Sequence, residues 1–540
     1  MKSLTYPPKK NAGKKFLTKA FYTFTLLGII SIHTIANAEN VMTYALKASP
    51  HSLDPFTMYD IPTHSFNGNV YEPLVDRNTQ LELVPSLATE WKNVDPTTWR
   101  FVLRQNVKFH DGAPFTASDV VFSFQRAAGP GSDSAGSVAS IKEIKVIDDH
   151  TIDVITKTQN PLLPSELYGM FIFSKAWCEK NNATKVSDAT KKEESYADRH
   201  ANGTGPYKVE SYQAEVQIVL VKNKDWWGKD CGNIDKAIFK PIASEATRVA
   251  ALLSGDVDLM APLPIQDIKR IESDPKLAVI ESPSLLTTFL GMNQSDDKLK
   301  STGLDKNPFK DKRVREAFAH AIDIEAIKTK IMRGYSEPNG LFITKGVNGY
   351  NQDINTRWKF DLEKAKNLMT EAGYPNGFNL AMDCSNDRYT KDEMICQSVA
   401  QMLAKIGVKV NLTAQTKSKF FAKVLGYDTD FYMLGWLPTT YDAHDAYYNL
   451  VATRKGGDQG KFNVGGYSNP KLDELINQLH KEMDSTKRNE LITEAMKIAQ
   501  EDVASITLHQ EKFVYGVSKR LLNPPIRADD MVFIKDFNVQ

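Results

Sequence analysis

The residues best suited to hold or transform a solute gather between Phe431 and Tyr448, in the run FYMLGWLPTTYDAHDAYY. Its apolar start suits a buried strand, Leu437-Pro438-Thr439-Thr440 suits a turn, and Trp436, Tyr441, Asp442 and His444 flank that turn. Hydroxyls, carboxylates, an imidazole and aromatic faces on a loop leaving a core strand can grip a polar solute at the mouth of a cleft. The same run also fits a strand that ends in a packed loop. A second candidate group is Asp387-Arg388-Tyr389, just after the apolar strand Asn379–Cys384. A guanidinium there can take a carboxylate through paired hydrogen bonds, or it can pair with Asp387 or Asp392. Trp436, Tyr389 and Tyr441 can each stack on a ligand or pack a core.

Other polar pairs promise less. His110 and Asp111 are neighbours on an Asp-Gly turn, where adjacent side chains point apart, which excludes a working acid–base pair. His320 and Asp323 fall three apart on an apolar helix, the setting of a packing histidine. The turn Asn202–Val209 lacks the further glycines and the Lys-Ser/Thr pair of a phosphate-cradling loop. No GxSxG, HExxH or SxxK set supports an exported hydrolase, and no Cys/His spacing supports zinc, so neither catalytic residues nor a cofactor nor a metal is expected.

The chain carries 67 basic against 66 acidic residues, with no long basic run in its body. That balance argues against nucleic acid or an anionic membrane surface as the main partner. Before Glu39 there is no acidic residue: six lysines precede the apolar run Ala20–Ile32, which ends in Ala36-Asn37-Ala38. The apolar run is shorter than the roughly 20 residues of a spanning helix. It predicts a secretory signal cut after Ala38, with an uncleaved anchor as the rival. The mature chain is then exported, and periplasmic in a bacterium. Four cysteines fit two disulfides in that setting, with three possible pairings. Cys178–Cys231 and Cys384–Cys396 are favoured because each pair lies within one region; free buried thiols are the alternative.

The elements that must position these groups follow from periodicity. A length of 540 residues exceeds one hydrophobic core, so two or more lobes are expected. Trp99–Arg104 alternates like a half-buried strand, and Thr116 caps a helix turning Val120, Val121 and Phe124 inward. Gly203 and Gly205 permit positive φ in their turn. Gly255 stops the helix Glu245–Ser254, and Gly373 the helix before it. Strands are expected at Val41–Pro50, Val408–Leu412 and Ser505–Val517, and two amphipathic helices between Pro470 and Val503.

The segment Trp99–Val120 reads W-x-F-x-L-R-x-x-V-x-F-H-D-G-x-P-F-x-A-x-D-V. It resembles the signature of the family 5 extracellular solute-binding proteins, the dipeptide-, oligopeptide- and nickel-type receptors of ABC importers. Gly203–Val209, Glu245–Leu259, Asn307–Ile327 and Phe360–Phe378 continue the likeness. The resemblance implies an α/β, two-lobed periplasmic-binding-protein fold (type II, cluster C-like) with an extra subdomain in the first lobe at about 76–200. It implies lobe I at 39–292, lobe II at 293–506 and a return to lobe I at 507–540, with crossings near Met292 and Ile506. It also implies a monomeric, non-enzymatic receptor that passes a short peptide to permease subunits. In the peptide receptors a carboxylate three residues after the tryptophan of G-W-x-x-D pairs with the peptide ammonium. Here that position is Thr439, a neutral hydroxyl. Asp442 matches a second aspartate of the longer pattern, and either replaces the anchor or braces the loop. Arg388 lies near the arginine that takes the peptide carboxylate. The resemblance thus places ligand contacts at Trp436, Thr439, Thr440, Tyr441, Asp442, His444, Arg388 and Tyr389. The missing carboxylate favours a modified peptide such as glutathione, an opine, a sugar derivative or a nickel chelate.

Overall fold

The computed structural model describes residues 39–540 except 59, 189–192 and 230. The expected signal segment lies outside the described residues. Eleven strands form one mixed sheet, which two long antiparallel strands, Leu277–Met292 and Ile506–Ser518, divide. On one side of them lie Leu259–Met260, Val41–Leu46, Lys236–Pro241, Gln217–Lys222 and Tyr207–Gln213; on the other, Phe431–Trp436, Asn379–Ser385 and Lys409–Gln415. Short Ser336–Pro338 adds to Ile506–Ser518. Parallel pairing occurs within each flank, at Val41–Leu46 and at Asn379–Ser385, as helical crossovers require. The two long strands stay in register from Leu277 opposite Ser518 to Pro283 opposite Lys512, slip, and resume at Thr287 opposite Gln510.

The cores follow the same division. One is built from residues 42–261 with 515–539, and another from 290–508. A third, mainly 285–504, takes in Leu81 and Tyr168 from the first part of the chain. Met292 and Ile506 both belong to the second core, at the ends of their strands. A separate four-stranded antiparallel sheet runs in the order Ala88–Asp95, Thr98–Leu103, Thr151–Thr156, Ile141–Asp148.

Most expected elements are present. Thr98–Leu103 is the predicted half-buried strand, and Thr116 precedes the helix Ala117–Ala127, where the Asp119 carboxylate accepts the Thr116 N–H at 3.0 Å. Val120 and Phe124 are buried, but Val121 stays at the rim. Gly255 and Gly373 end their helices at φ 82° and 90°. Gly203 and Gly205 are a correction. Neither has positive φ; a Cβ would meet the Val70 backbone at 1.9 and 2.7 Å, so close approach is what demands glycine. Asp323 is another: the helix Lys312–Ala321 stops before it, and Asp323 caps the next turn, accepting the Ala326 N–H at 3.0 Å. His320 is the packing histidine expected, edge-on to Trp358 and bonded to the Lys359 carbonyl.

Cys384 and Cys396 are joined, tying the end of Asn379–Ser385 to the first turns of the helix Asp392–Ala404. The pairing of Cys178 with Cys231 fails. Cys178 is buried under the Arg126–Asp54 ion pair, whereas half-buried Cys231 sits beside the Tyr207 hydroxyl and Lys222. Residence in one stretch of chain did not bring the two sulfurs together.

Candidate functional site

The strand Phe431–Trp436 lies between Leu277–Met292 and Asn379–Ser385. Successive side chains point to opposite faces, so Phe431 and Met433 enter the second core while Tyr432 and Leu434 enter the third. Burial on both faces pins the register of the residues beyond it. The strand emerges at Gly435, where a Cβ would fall 2.6 Å from the Tyr389 ring. The Gly435 N–H donates to the Tyr389 hydroxyl at 2.8 Å, and burial pushes that phenol up to about 12. The two predicted groups, near 388 and near 436, therefore meet.

The loop beyond Gly435 closes on itself. Trp436 Nε1 donates to the Asp445 carboxylate at 2.8 Å, as do the Thr439 N–H at 3.0 Å and the Thr439 hydroxyl at 2.7 Å. Burial raises the Asp445 carboxyl even against these donors. Thr439 itself is exposed. The Thr440 hydroxyl finds no partner among the described residues, while its carbonyl accepts from Arg77 at 3.1 Å.

Tyr441 adopts φ +58°, a conformation that costs a non-glycine residue energy and needs support. Its hydroxyl donates to Asp529 at 2.9 Å, the Arg77 guanidinium lies 4.2 Å above its ring, and Tyr168 meets it edge-on. Burial alone would raise the Asp529 carboxyl, but Arg527 beside it holds it below the usual range.

Asp442 is 3 % exposed and caps the helix Ala443–Leu450, accepting the His444 N–H at 2.8 Å. Arg488 grips both of its oxygens, at 2.6 and 2.8 Å, and Asn348 adds a third donor at 2.8 Å. His444 is buried against Tyr448 and shares one hydrogen bond with His480 at 3.1 Å. Burial drives the His444 imidazole well below its ordinary value, which suits a neutral pair with one donor and one acceptor.

The Arg388 corner differs. Asp392 is occupied by the backbone N–H groups of Arg388 and Tyr389 and by the Ser385 hydroxyl; Asp387 takes the Lys417 N–H. The exposed Arg388 guanidinium has the Tyr389 ring at 5.1 Å and makes no ion pair among the described residues.

Glu511, absent from the predicted set, completes this corner. It lies on Ile506–Ser518 opposite the slip between Pro283 and Thr287, in register with Ser336. It is 6 % exposed. One oxygen accepts from the Thr390 hydroxyl at 2.9 Å; the other has no partner among the described residues. Burial pushes the carboxyl up to about 7, although Thr390 and nearby Arg388 pull against it. An acid at a buried position of a strand, Ile506–Ser518, was the available signal. The alternation that would have exposed it is broken by a second slip between Thr288 and Phe289, which buries both Leu508 and His509.

His110 and Asp111 stand apart from this site, with His110 bonded to the Gly205 carbonyl and Asp111 to the Ala113 N–H. A pocket of about 310 Å³ lined by His51, Asp60, Arg199 and Tyr212 also lies away from it and contains none of the predicted residues.

Two α/β layers joined by a pair of long strands, with polar side chains gathered where those strands slip, define a two-lobed solute-binding protein. The sequence model of bacterial extracellular solute-binding proteins, family 5 (middle region), matches residues 82–458. The chain belongs to that family. It is 27 % identical over 497 residues to the glutathione-binding protein GsiB of Pectobacterium atrosepticum, covering 90 % of this chain and 91 % of that one. Among solved structures it resembles the periplasmic binding protein DppA of Helicobacter pylori in complex with the peptide STSA (25 % identity, TM-score 0.74, 93 % of this chain and 98 % of that one). It also resembles HbpA2 of Haemophilus parasuis (24 % identity, TM-score 0.80, 93 % and 100 %). Both share the two-lobed fold. Among the described residues no helix is long and apolar enough to cross a membrane.

Proposed function

We propose that this chain is the periplasmic receptor of an ABC importer, closing two lobes around a short peptide or peptide-like solute and handing it to membrane permease subunits. A signal segment ending at Ala38 is removed on export, and the mature monomer carries lobe I at 39–292 and 507–540, with its extra subdomain at about 76–200, and lobe II at 293–506. The lobes close about the two long strands that cross near Met292 and Ile506, and the slip between Pro283 and Thr287 lets those strands bend, because a break in ladder pairing is where two strands bend most readily. The observation that carries this reading is the meeting of Tyr389 with Gly435 beside the crossing strands, which brings both predicted ligand groups to one place. Arg388, Tyr389, Trp436, Thr439 and Thr440 line the cleft; Asp442, Tyr441 and His444 hold its wall.

A glutathione-like solute is favoured over an ordinary dipeptide by two facts. The chain is similar to a protein named as glutathione-binding, and Thr439 stands where the peptide receptors keep an aspartate. Native mass spectrometry of mature protein purified from periplasm tests both. The expected result is one small bound molecule per monomer, displaced by glutathione. Tight binding of unblocked dipeptides without glutathione binding removes the glutathione reading, and turnover of a bound peptide removes the receptor reading.

A further inference from the structure

Glu511 and Arg388 are neighbouring opposite charges that make no ion pair among the described residues, the first buried and the second exposed. A carboxylate buried on a core strand needs a cation or a full set of donors, because desolvation of its charged form is costly. Glu511 has one donor, Thr390, for one oxygen. The charges around it are few. Asp392 is committed to Ser385 and three backbone N–H groups. Lys512, next on the strand, turns away to Glu281 at 3.1 Å and Glu337 at 3.5 Å, and Lys328 also holds Glu337. His509 is buried on the same strand and kept neutral by burial. Arg388 remains. It is close enough to favour ionised Glu511, yet the two form no ion pair. A buried carboxyl oxygen without a donor and a nearby guanidinium without an anion among the described residues match a solute group that carries an ammonium and a carboxylate on one carbon.

We infer that Glu511 and Arg388 form a two-charge subsite for the free α-amino-acid head of the solute, its ammonium on Glu511 and its carboxylate on Arg388. The inference rests on the peptide-like reading above and narrows it. An ordinary peptide carries its ammonium and carboxylate at opposite ends. A γ-linked glutamyl peptide keeps both on its first α-carbon, as does any solute attached through a side chain. The site therefore selects the linkage rather than the side chain. Tyr389, fixed to Gly435, and the Trp436 loop then face the rest of the molecule.

Calorimetry with three probes tests this: reduced glutathione, its α-linked isomer α-Glu-Cys-Gly, and N-acetylglutathione, each on the wild type, Glu511→Gln and Arg388→Gln. Each charge-assisted contact is worth roughly 1.5–3 kcal/mol, so each variant should bind glutathione roughly ten- to a hundredfold more weakly. The wild type should prefer the γ-linked isomer by a similar factor. N-acetylation should weaken binding to the wild type and leave Glu511→Gln indifferent, a readout that a merely structural role for Glu511 does not produce. At about pH 6.5 the wild type should release a proton on binding, as the ammonium ionises Glu511, and Glu511→Gln should not. Because Arg388 is exposed, its variant tests the subsite even if Glu511→Gln folds poorly. Equal binding of the γ- and α-linked isomers, or glutathione binding unchanged in both variants, overturns the inference and leaves the receptor standing. Failure of the wild type to bind any of the three probes overturns it together with the glutathione-like reading.

Discussion

Two polar regions meet beside the crossing strands, and they use their side chains in opposite ways. From Trp436 to Asp445 nearly every group is answered from within: Asp445 by Trp436 and Thr439, Asp442 by Arg488 and Asn348, His444 by His480, Tyr441 by Asp529. At the Arg388–Glu511 corner, a guanidinium and a carboxylate oxygen are left over. The loop is richer in residues that could do chemistry, and for that reason it is the better-built wall. Buried polar groups that satisfy one another rigidify a fold. Those that do not are where a ligand can add something.

The comparison breaks first at Asp442. Replacing it with alanine leaves Arg488 buried without its counter-charge, which should cost about 3–5 kcal/mol of stability, read as a fall in the urea midpoint. Loss of ligand affinity with no loss of stability would instead move Asp442 out of the wall and into the site. The corner has its own brace. The disulfide Cys384–Cys396 closes the loop that carries Arg388, with a sequence separation of 12. Changing both cysteines to alanine should cost roughly 2–3 kcal/mol and speed proteolysis between Ser385 and Lys391. In the unfolded, unreduced protein two thiols, Cys178 and Cys231, should alkylate; if none does, these two are paired after all.

The elements were legible because local rules sufficed for them: alternation at Thr98–Leu103, the Thr116 cap, glycine stops at Gly255 and Gly373. The two-lobed fold was implied instead by the family likeness of Trp99–Val120. The site was half legible. Aromatic and charged residues near 436 and 388 do come together, at Tyr389 and Gly435, yet the partners of the loop, Arg77, Asn348, Arg488 and Asp529, are far away in sequence. Whether a side chain is free depends on those distant partners, which no local pattern encodes. Glu511 was missed because strand slips break the alternation that marks an inward charge, and Cys178–Cys231 was overcalled because nearness in sequence stood in for nearness in space.

Titration sharpens the contrast. Burial raises the Glu511 carboxyl from its ordinary 4.5 to about 7 in the folded chain. The folded state thus holds a proton that the unfolded state has lost across that interval, and stability falls as pH rises through it. Above about pH 7 the full cost is present, so unliganded Glu511→Gln should gain about 1–3 kcal/mol over the wild type at about pH 8 and nothing below about pH 4. Thermal unfolding at the two pH values measures it. A gain that is independent of pH would mean that Glu511 is already compensated and the corner is closed like the loop.

Thr439 offers the smallest but most direct exchange between the two regions. Thr439→Asp restores the carboxylate of the peptide receptors and places it where a hydroxyl now donates to Asp445 at 2.7 Å. The change removes a donor from a buried acid whose carboxyl burial already raises, and adds a like charge beside it. Two carboxylates at that distance do not both ionise easily, so one retains its proton in the folded state. Their folded pKa values rise above the unfolded ones, and the penalty grows with pH. A loss of about 1 kcal/mol at neutral pH, smaller near pH 5, is expected, because Thr439 is exposed and water shares the load. If Thr439→Asp instead keeps full stability and binds unblocked dipeptides more tightly, Asp445 has let go of the loop. The wall is then a second anion site, and the division between a closed region and an open one does not hold.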